Sequence, residues 1–291
     1  MEFDKDFFAE QERSGFVVSA DMKKVWAVEL ELFEKFSAVC EKHNLPFHLS
    51  GGSLLGAVRH GGFIPWDDDI DIMMLREDYN KLCSIANDEF SKPYFFQTHY
   101  TDTGYTRAHA QIRKDGTTGI LKSEKDCFSF HQGIFIDVFP MDNIPDDAKK
   151  LSQMQKKIGF CRKLLGLTCD YAANEPKSAV KNLAHKILSF LLNPDKIYDK
   201  LEKASQAYNG EKTARVAPVS AFPFVDKMFF PRECYDEIVS VPFENITAPI
   251  PKDYDTLLTI QYGDYMVQRK DNSYHGGIIF DTEKDYREYL K

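Results

Sequence analysis

Between residues 20 and 43, Val25, Val28, Leu32, Phe36 and Val39 recur at three- and four-residue intervals among charged positions. That spacing predicts an amphipathic helix over ADMKKVWAVELELFEKFSAVCEKH. PFHLS (46–50) reads as a short strand running into Gly51-Gly52-Ser53, and SLLGAVRH as a short helix closed by Gly61-Gly62. IDIMM (70–74) alternates with a period of two, and REDYNKLCSIANDEF (76–90) returns to helical spacing. PYFFQTHY and RAHAQIRKD read as strands. GIFIDVFP (133–140) reads as a third, stopped by Pro140. Up to about residue 145 the pattern is α/β.

The character changes after Asp146-Asp147. Residues 149–200 hold eleven Lys/Arg against four Asp/Glu, a local excess of positive charge in a chain of net charge −8. This segment reads as helices over 147–173 and 177–192, with another opened by Asn193-Pro194, an N-cap followed by proline at the first helical position. The tail mixes short strands (ARVAPVSAF, VPFENITAPI) with a helix near KDYDTLLTIQYG. The expected organisation is a catalytic core over 1–145, a basic helical insertion over 146–210, and an α+β segment over 211–291 that completes the core. There is no repeat and no low-complexity stretch.

Hydrophobic residues make up 43% of the 291, enough for a real core. The acidic balance argues against a general nucleic-acid binder, so none is expected as a partner. The six cysteines (Cys40, Cys83, Cys127, Cys161, Cys169, Cys234) include no C-x-x-C pair, which favours reduced thiols in a cytoplasmic protein. The start, MEFDKDFFAEQERSG, lacks the basic and apolar regions of a signal peptide, and no apolar run approaches the ~20 residues that span a bilayer. A soluble protein is expected.

The chemistry concentrates in FIPWDDDIDI (63–72). Ile70 and Ile72 alternate with Asp69 and Asp71, so a strand here sends the isoleucines inward and both acids to the other face, about 6.6 Å apart. Two carboxylates so spaced can share one Mg²⁺. Asp137, in the apolar strand IFIDVF, offers a third ligand from a neighbouring strand, and a buried charge there needs a reason. Upstream, Gly51-Gly52-Ser53 presents backbone N–H groups and a helix start to a phosphate. Together these describe a metal-dependent phosphoryl or nucleotidyl transfer site. A run of aspartates is more often a solvated loop, but solvated runs do not alternate with isoleucine and continue into Met73-Met74. A calcium loop fails because Ile72 and Met73 stand where glycine and polar ligands belong. Asp67 and Asp68 read as turn caps after Pro65.

GGSLLGAVRHGGFIPWDDDIDIMMLREDY resembles the core motif of the LicD family of phosphotransferases, which includes phosphocholine transferases. HQGIFIDVFPMDNIP (131–145) and PIPKDYDTLLTIQYGDYM (249–266) resemble the family's second and C-terminal motifs. The resemblance implies a nucleotidyltransferase-like core of fold class α/β (α+β): a mixed sheet with flanking helices plus a helical insertion. It implies transfer of a phospho-alcohol, typically phosphocholine, from CDP-choline or another CDP-alcohol to a sugar of a cell-surface glycan such as teichoic acid or lipopolysaccharide, with CMP released. Position by position, Asp69, Asp71 and Asp137 match the acids that bind metal, Mg²⁺ or alternatively Mn²⁺. Gly52 and Ser53 match the phosphate-loop pair.

On that reading the acids are both ligands and catalytic residues, with Asp137 the candidate for activating the attacking hydroxyl. Arg59 and His60 are candidates for donor phosphates, with a surface salt bridge the alternative for Arg59. Arg113 and Lys114 are similar candidates. Trp66 is placed to stack on cytosine or to face a quaternary ammonium group, with core packing the alternative. Tyr262 and Tyr265 share that role, while His131 and His275 read as structural. The helices of 150–192 read as an ordinary basic subdomain or as a peripheral contact with an anionic membrane, where a lipid-linked glycan acceptor would lie at the inner face. Competing readings are an NTP-dependent nucleotidyltransferase, a D-x-D glycosyltransferase, and a binding module with a degenerate site.

Overall fold

The computed structural model of the chain describes residues 3–168, 191–221, 225–269 and 277–290. Nearly all of the helix expected over 177–192, and His275, lie outside the described residues.

A hairpin of β1 (Gln11–Arg13) and β2 (Phe16–Val18) precedes the long helix α1 (Ala20–His43). Ser19 Oγ caps α1 by accepting from Met22 N at 3.1 Å, and Asn44 ends it in the left-handed conformation. The predicted apolar face is the buried one, with Val25, Trp26, Leu32, Phe36 and Val39 all in the core. Next come β3 (His48–Leu49), α2 (Gly51–His60), β4 (Asp71–Leu75), α3 (Arg76–Glu89), β5 (Tyr94–Gln97), β6 (Ala110–Lys114), β7 (Thr118–Leu121) and β8 (Phe135–Ile144).

The central sheet has seven strands built around β8. On one side β4 runs parallel to it, Asp71 opposite Asp137 and Leu75 opposite Met141, with β3 antiparallel beyond. On the other side β6 runs antiparallel to β8 up to Val138, flanked by β5. From Asp142 that same edge of β8 is taken by β9 (Arg215–Ala217), which pairs with β10 (Phe230–Pro231).

This change of partner explains why Pro140 does not stop the strand. Asp137 N donates towards β4, to Ile70 O at 2.9 Å, so alternation turns the odd N–H groups to β4 and the even ones to the other edge. Position 140 falls on that other edge, in the interval between β6 and β9, where no ladder bond needs a donor. The strand therefore runs on to Ile144 rather than ending at Pro140.

VPFENITAPI, expected as one strand, is part of a hairpin of β11 (Ile238–Phe243) and β12 (Ile246–Pro251), with Glu244 at φ 51° in the turn. Helices α4 (Ala148–Thr168) and α5 (Pro194–Ser205) pack together, and Met154, Ile158, Leu165, Ile197 and Leu201 form a second apolar cluster with Ile144 and Val219. Asn193 Oδ1 caps α5 by accepting from Lys196 N at 3.0 Å, as the Asn-Pro signal predicts. Helix α6 (Tyr254–Tyr262) ends at Gly263, and β13 (Ile278–Asp281) pairs with β7. The fold is α+β: a mixed sheet with six α-helices among the described residues. None of those helices is long and apolar enough to cross a membrane.

Candidate active site

The parallel pairing of β4 with β8 does most to build the site, because it places Asp71 directly opposite Asp137. Asp69 lies two residues before β4 begins, in extended approach chain rather than in the strand itself. Ile70 and Ile72 are fully buried in the core as the alternation predicts, but Asp69 is buried too and only Asp71 is partly exposed. One carboxylate oxygen from each of Asp69, Asp71 and Asp137 can be chosen so that all lie within 4.8 Å of one another. Asp67, Asp68 and Asp69 form a second such group.

Helix α2 begins earlier than the sequence suggests, so Gly51, Gly52 and Ser53 form its first turn instead of a preceding loop. Its N-terminus faces the acids. Gly51 has φ +53°, and a Cβ there would stand 2.8 Å from Asp71 Oδ2; a Cβ on Gly52 would stand 2.5 Å from Asp67 Oδ2. Two glycines let acids and helix start share this space. Ser53 is buried, and its Oγ accepts from Asp71 N at 2.8 Å. It anchors the acid-bearing strand rather than pointing into the pocket.

The acid loop is fastened from two sides. Trp26 of α1 donates from Nε1 to Asp67 O at 3.1 Å and stacks on Phe63 at 4.5 Å. Glu244, from the β11–β12 turn, accepts from Phe63 N at 3.1 Å and from Arg13 at 2.5 and 2.9 Å.

Burial pushes the Asp69 carboxyl well above the usual range, and the neighbouring charges of Asp71, Asp67, Asp137 and Asp68 push it the same way. Glu29 of α1, 1% exposed, is raised for the same reasons, burial first and then Asp68, Asp67 and Asp137. Carboxylates that disfavour one another's ionisation gain most from a bound cation. The oxygen-only donor set, close spacing and glycine-cleared space fit a hard divalent ion held by Asp69, Asp71 and Asp137.

The acids floor a cavity of about 850 Å³. Gly52, Arg59 and Trp66 line it, as do Tyr262 and Tyr265. Arg59 donates from Nη1 to Tyr265 O at 2.9 Å and from Nε to His60 Nε2 at 3.0 Å, so His60 supports Arg59 and is not part of the lining. Trp66 packs edge-on against Phe16 and His60 while remaining partly exposed.

Arg113 is not among the lining residues. It is 1% exposed, and its guanidinium donates to Gln97 Oε1 at 2.6 Å, Gly133 O at 2.6 Å and Gln111 Oε1 at 2.5 Å. Burial lowers its pKa to about 10. Lys114 pairs with Glu31 on α1. His131 is buried between Phe95 and Tyr286 with Nε2 2.8 Å from Asp115 Oδ1, the structural role read from sequence.

Several polar residues of the site go beyond the sequence expectation, among them Arg107 and His109 on the cavity wall and Gln111 beside Asp137. Arg107 pairs with Glu124 at 2.6 Å. His109 Nε2 lies 3.2 Å from Asp137 Oδ1, out of line for a hydrogen bond. The signal was present. In RAHAQIRKD, residues 107, 109, 111 and 113 alternate with Ala108, Ala110 and Ile112, the pattern of a strand with its polar groups on one face, although β6 itself begins only at Ala110.

Residues 44–165 match the model of the LicD/FKTN/FKRP nucleotidyltransferase domain. This domain belongs to the LicD family. The match spans α2, the acids of β4 and all of β8. The chain is similar to the lipopolysaccharide cholinephosphotransferase LicD of Haemophilus influenzae, 28% identical over 246 residues that cover 81% of this chain and 88% of that protein. An uncharacterised protein of Rickettsia prowazekii is 34% identical over 38% of this chain and 39% of its own. Human ribitol 5-phosphate transferase FKRP is 52% identical over 40 residues, 14% of this chain and 8% of that one.

Proposed function

We propose that this protein transfers phosphocholine, or a related phospho-alcohol, from a CDP-activated donor to a sugar hydroxyl of a cell-surface glycan, releasing CMP. The observation that carries the reading is the parallel β4–β8 register. It sets Asp71 against Asp137, with Asp69 alongside, at the floor of a cavity roomy enough for a nucleotide-linked donor. Similarity to a lipopolysaccharide cholinephosphotransferase along most of both chains supports phosphocholine as the cargo.

Asp69, Asp71 and Asp137 would hold Mg²⁺, with Mn²⁺ as the alternative. When bound, the ion supplies charge neutralisation for the donor pyrophosphate. The chain does the positioning. The backbone of Gly52, at the start of α2, meets donor phosphate with N–H groups and the positive end of the helix. Arg59, fixed by Tyr265 O, adds a guanidinium on the same wall. Trp66 offers a partly exposed ring to the cytosine or to the quaternary ammonium of the cargo, and Tyr262 and Tyr265 line the same cavity.

The acceptor in this reading is lipid-linked, and the protein works in the cytoplasm against the inner face of the membrane. Support comes from the outward stripe of α4, where exposed Lys149, Lys156 and Lys163 alternate with Phe160, 62% exposed. Co-sedimentation with liposomes that depends on anionic lipid is the expected result. Binding indifferent to lipid charge would contradict docking.

The test of the activity is incubation with Mg²⁺ and, in separate reactions, CDP-choline, CDP-ribitol, CDP-glycerol, CTP and UDP-sugars. Binding and slow CMP release are expected with a CDP-alcohol, CDP-choline foremost. Preference for CTP would establish a nucleotidyltransferase, preference for a UDP-sugar a glycosyltransferase, and silence throughout a binding module.

A further inference from the structure

Asp137 is held by Gln111. The two residues face each other in the antiparallel β6–β8 register, and Gln111 Nε2 donates to Asp137 Oδ1 at 2.7 Å. A glutamine amide has a donor end and an acceptor end, and here the direction is dictated. Its Oε1 accepts from Arg113 Nη2 at 2.5 Å, and a guanidinium can only donate, so the NH₂ must face Asp137. Arg113 is fixed in turn: Nε donates to Gln97 Oε1 and Nη1 to Gly133 O, and the guanidinium lies over the Phe135 ring, 4.5 Å from its centroid. Gln97 Nε2 donates onward to Asp102 Oδ2 at 2.7 Å and to His131 O at 3.0 Å. Gln97, Gln111 and Arg113 are each 1% exposed or less. Burying so many polar groups is costly unless every link is made, and here the links are made in series, ending on the acid.

We propose that Gln111 is the positioning residue of the metal centre, with Arg113 setting the direction of its amide. Gln111 engages Oδ1 of Asp137 and so presents the second carboxylate oxygen to the cation shared with Asp69 and Asp71. The neutral amide passes on the orientation imposed by a buried cation without placing that cation against the acids. His109 approaches the same Oδ1 at 3.2 Å but is not aligned to replace the amide. The inference rests on Asp69, Asp71 and Asp137 being cation ligands.

The experiment is Mn²⁺ titration of the purified full chain, with no donor present, following free Mn²⁺ by its EPR signal. Gln111→Met removes the bond to Asp137 at nearly constant volume. Gln97→Met is the control, since it removes a buried bond to Arg113 together with those to Asp102 and His131 O but touches no acid of the site. The expected result is a Mn²⁺ affinity roughly 10–100-fold weaker in Gln111→Met and within about threefold of wild type in Gln97→Met, the usual cost of losing a partner of a metal-binding carboxylate. Should Gln111→Met fail to fold, Gln111→Asn carries the test with the same expectation, since the shorter amide cannot reach Arg113 and Asp137 together. Equal affinity in the Gln111 variant and wild type, or an equal loss in both variants, would overturn the positioning role alone. A wild type that binds no Mn²⁺ would overturn the metal assignment on which it rests.

Discussion

Strand β8 buries two aspartates near its two ends, Asp137 at 5% exposure and Asp142 at 0%, and they have opposite surroundings. Asp142 is matched by a guanidinium. Arg76, the first residue of α3, donates to both its oxygens at 2.8 Å, bonds Glu202 of α5 at 2.7 Å, and is held above its usual pKa by those acids. Asp137 meets the Gln111 amide, the His109 ring at 3.2 Å and two further carboxylates. The first arrangement is complete and ties the helical region to the sheet. The second gathers three carboxylates at the cavity, a donor set that fits a divalent cation. An acid in an apolar strand is thus only half of a signal; the other half is whether the fold provides its counter-charge.

The contrast has measurable consequences. The largest is in transfer. Asp71→Asn or Asp137→Asn should lower the rate on the order of 10³-fold or more, because the charge that answers the donor pyrophosphate is lost. Asp142→Asn should instead act on stability. Leaving Glu202 as the one acid paired with buried Arg76 is expected to cost about 3–5 kcal/mol in urea unfolding, while the catalytic acids stay in place. Saturating Mg²⁺, at about a hundred times its dissociation constant, should stabilise the wild type by about 3 kcal/mol, and Asp71→Asn should show no such gain.

A further effect concerns a buried group that is neither paired with a charge nor part of the metal centre. His48 of β3 stacks on Tyr235, and burial lowers its pKa from 6.5 to about 4. The unfolded chain therefore binds a proton in this interval that the fold resists. Stability is complete above pH 6.5 and declines as the pH falls towards 4, by up to about 3 kcal/mol. His48→Phe should flatten that limb of the stability–pH curve.

Much of the site could be read from sequence because β alternation is local. Ile70 and Ile72 against Asp69 and Asp71 give the faces directly, and Asp137 in IFIDVF announces itself by contrast with its neighbours. What could not be read depends on pairing across the sheet. Pro140 looks like a strand end until β6 is seen to give way to β9 beside it. Arg113 looks like a phosphate ligand until its guanidinium is found consumed by Gln97, Gln111 and Gly133. Ser53 looks like part of a phosphate loop until its hydroxyl is seen to hold Asp71 N. Asp142 is a second acid in the same strand, and only the long-range contacts of Arg76 assign it to the scaffold.

The most direct test of the account is the Mg²⁺-induced shift of the urea midpoint in Asp137→Asn compared with Asp142→Asn. The account expects the first variant to be at least as stable as wild type without metal and to show no shift. It expects the second to be destabilised but to keep the full shift. An Asp137→Asn protein that responds to Mg²⁺ as the wild type does would contradict it.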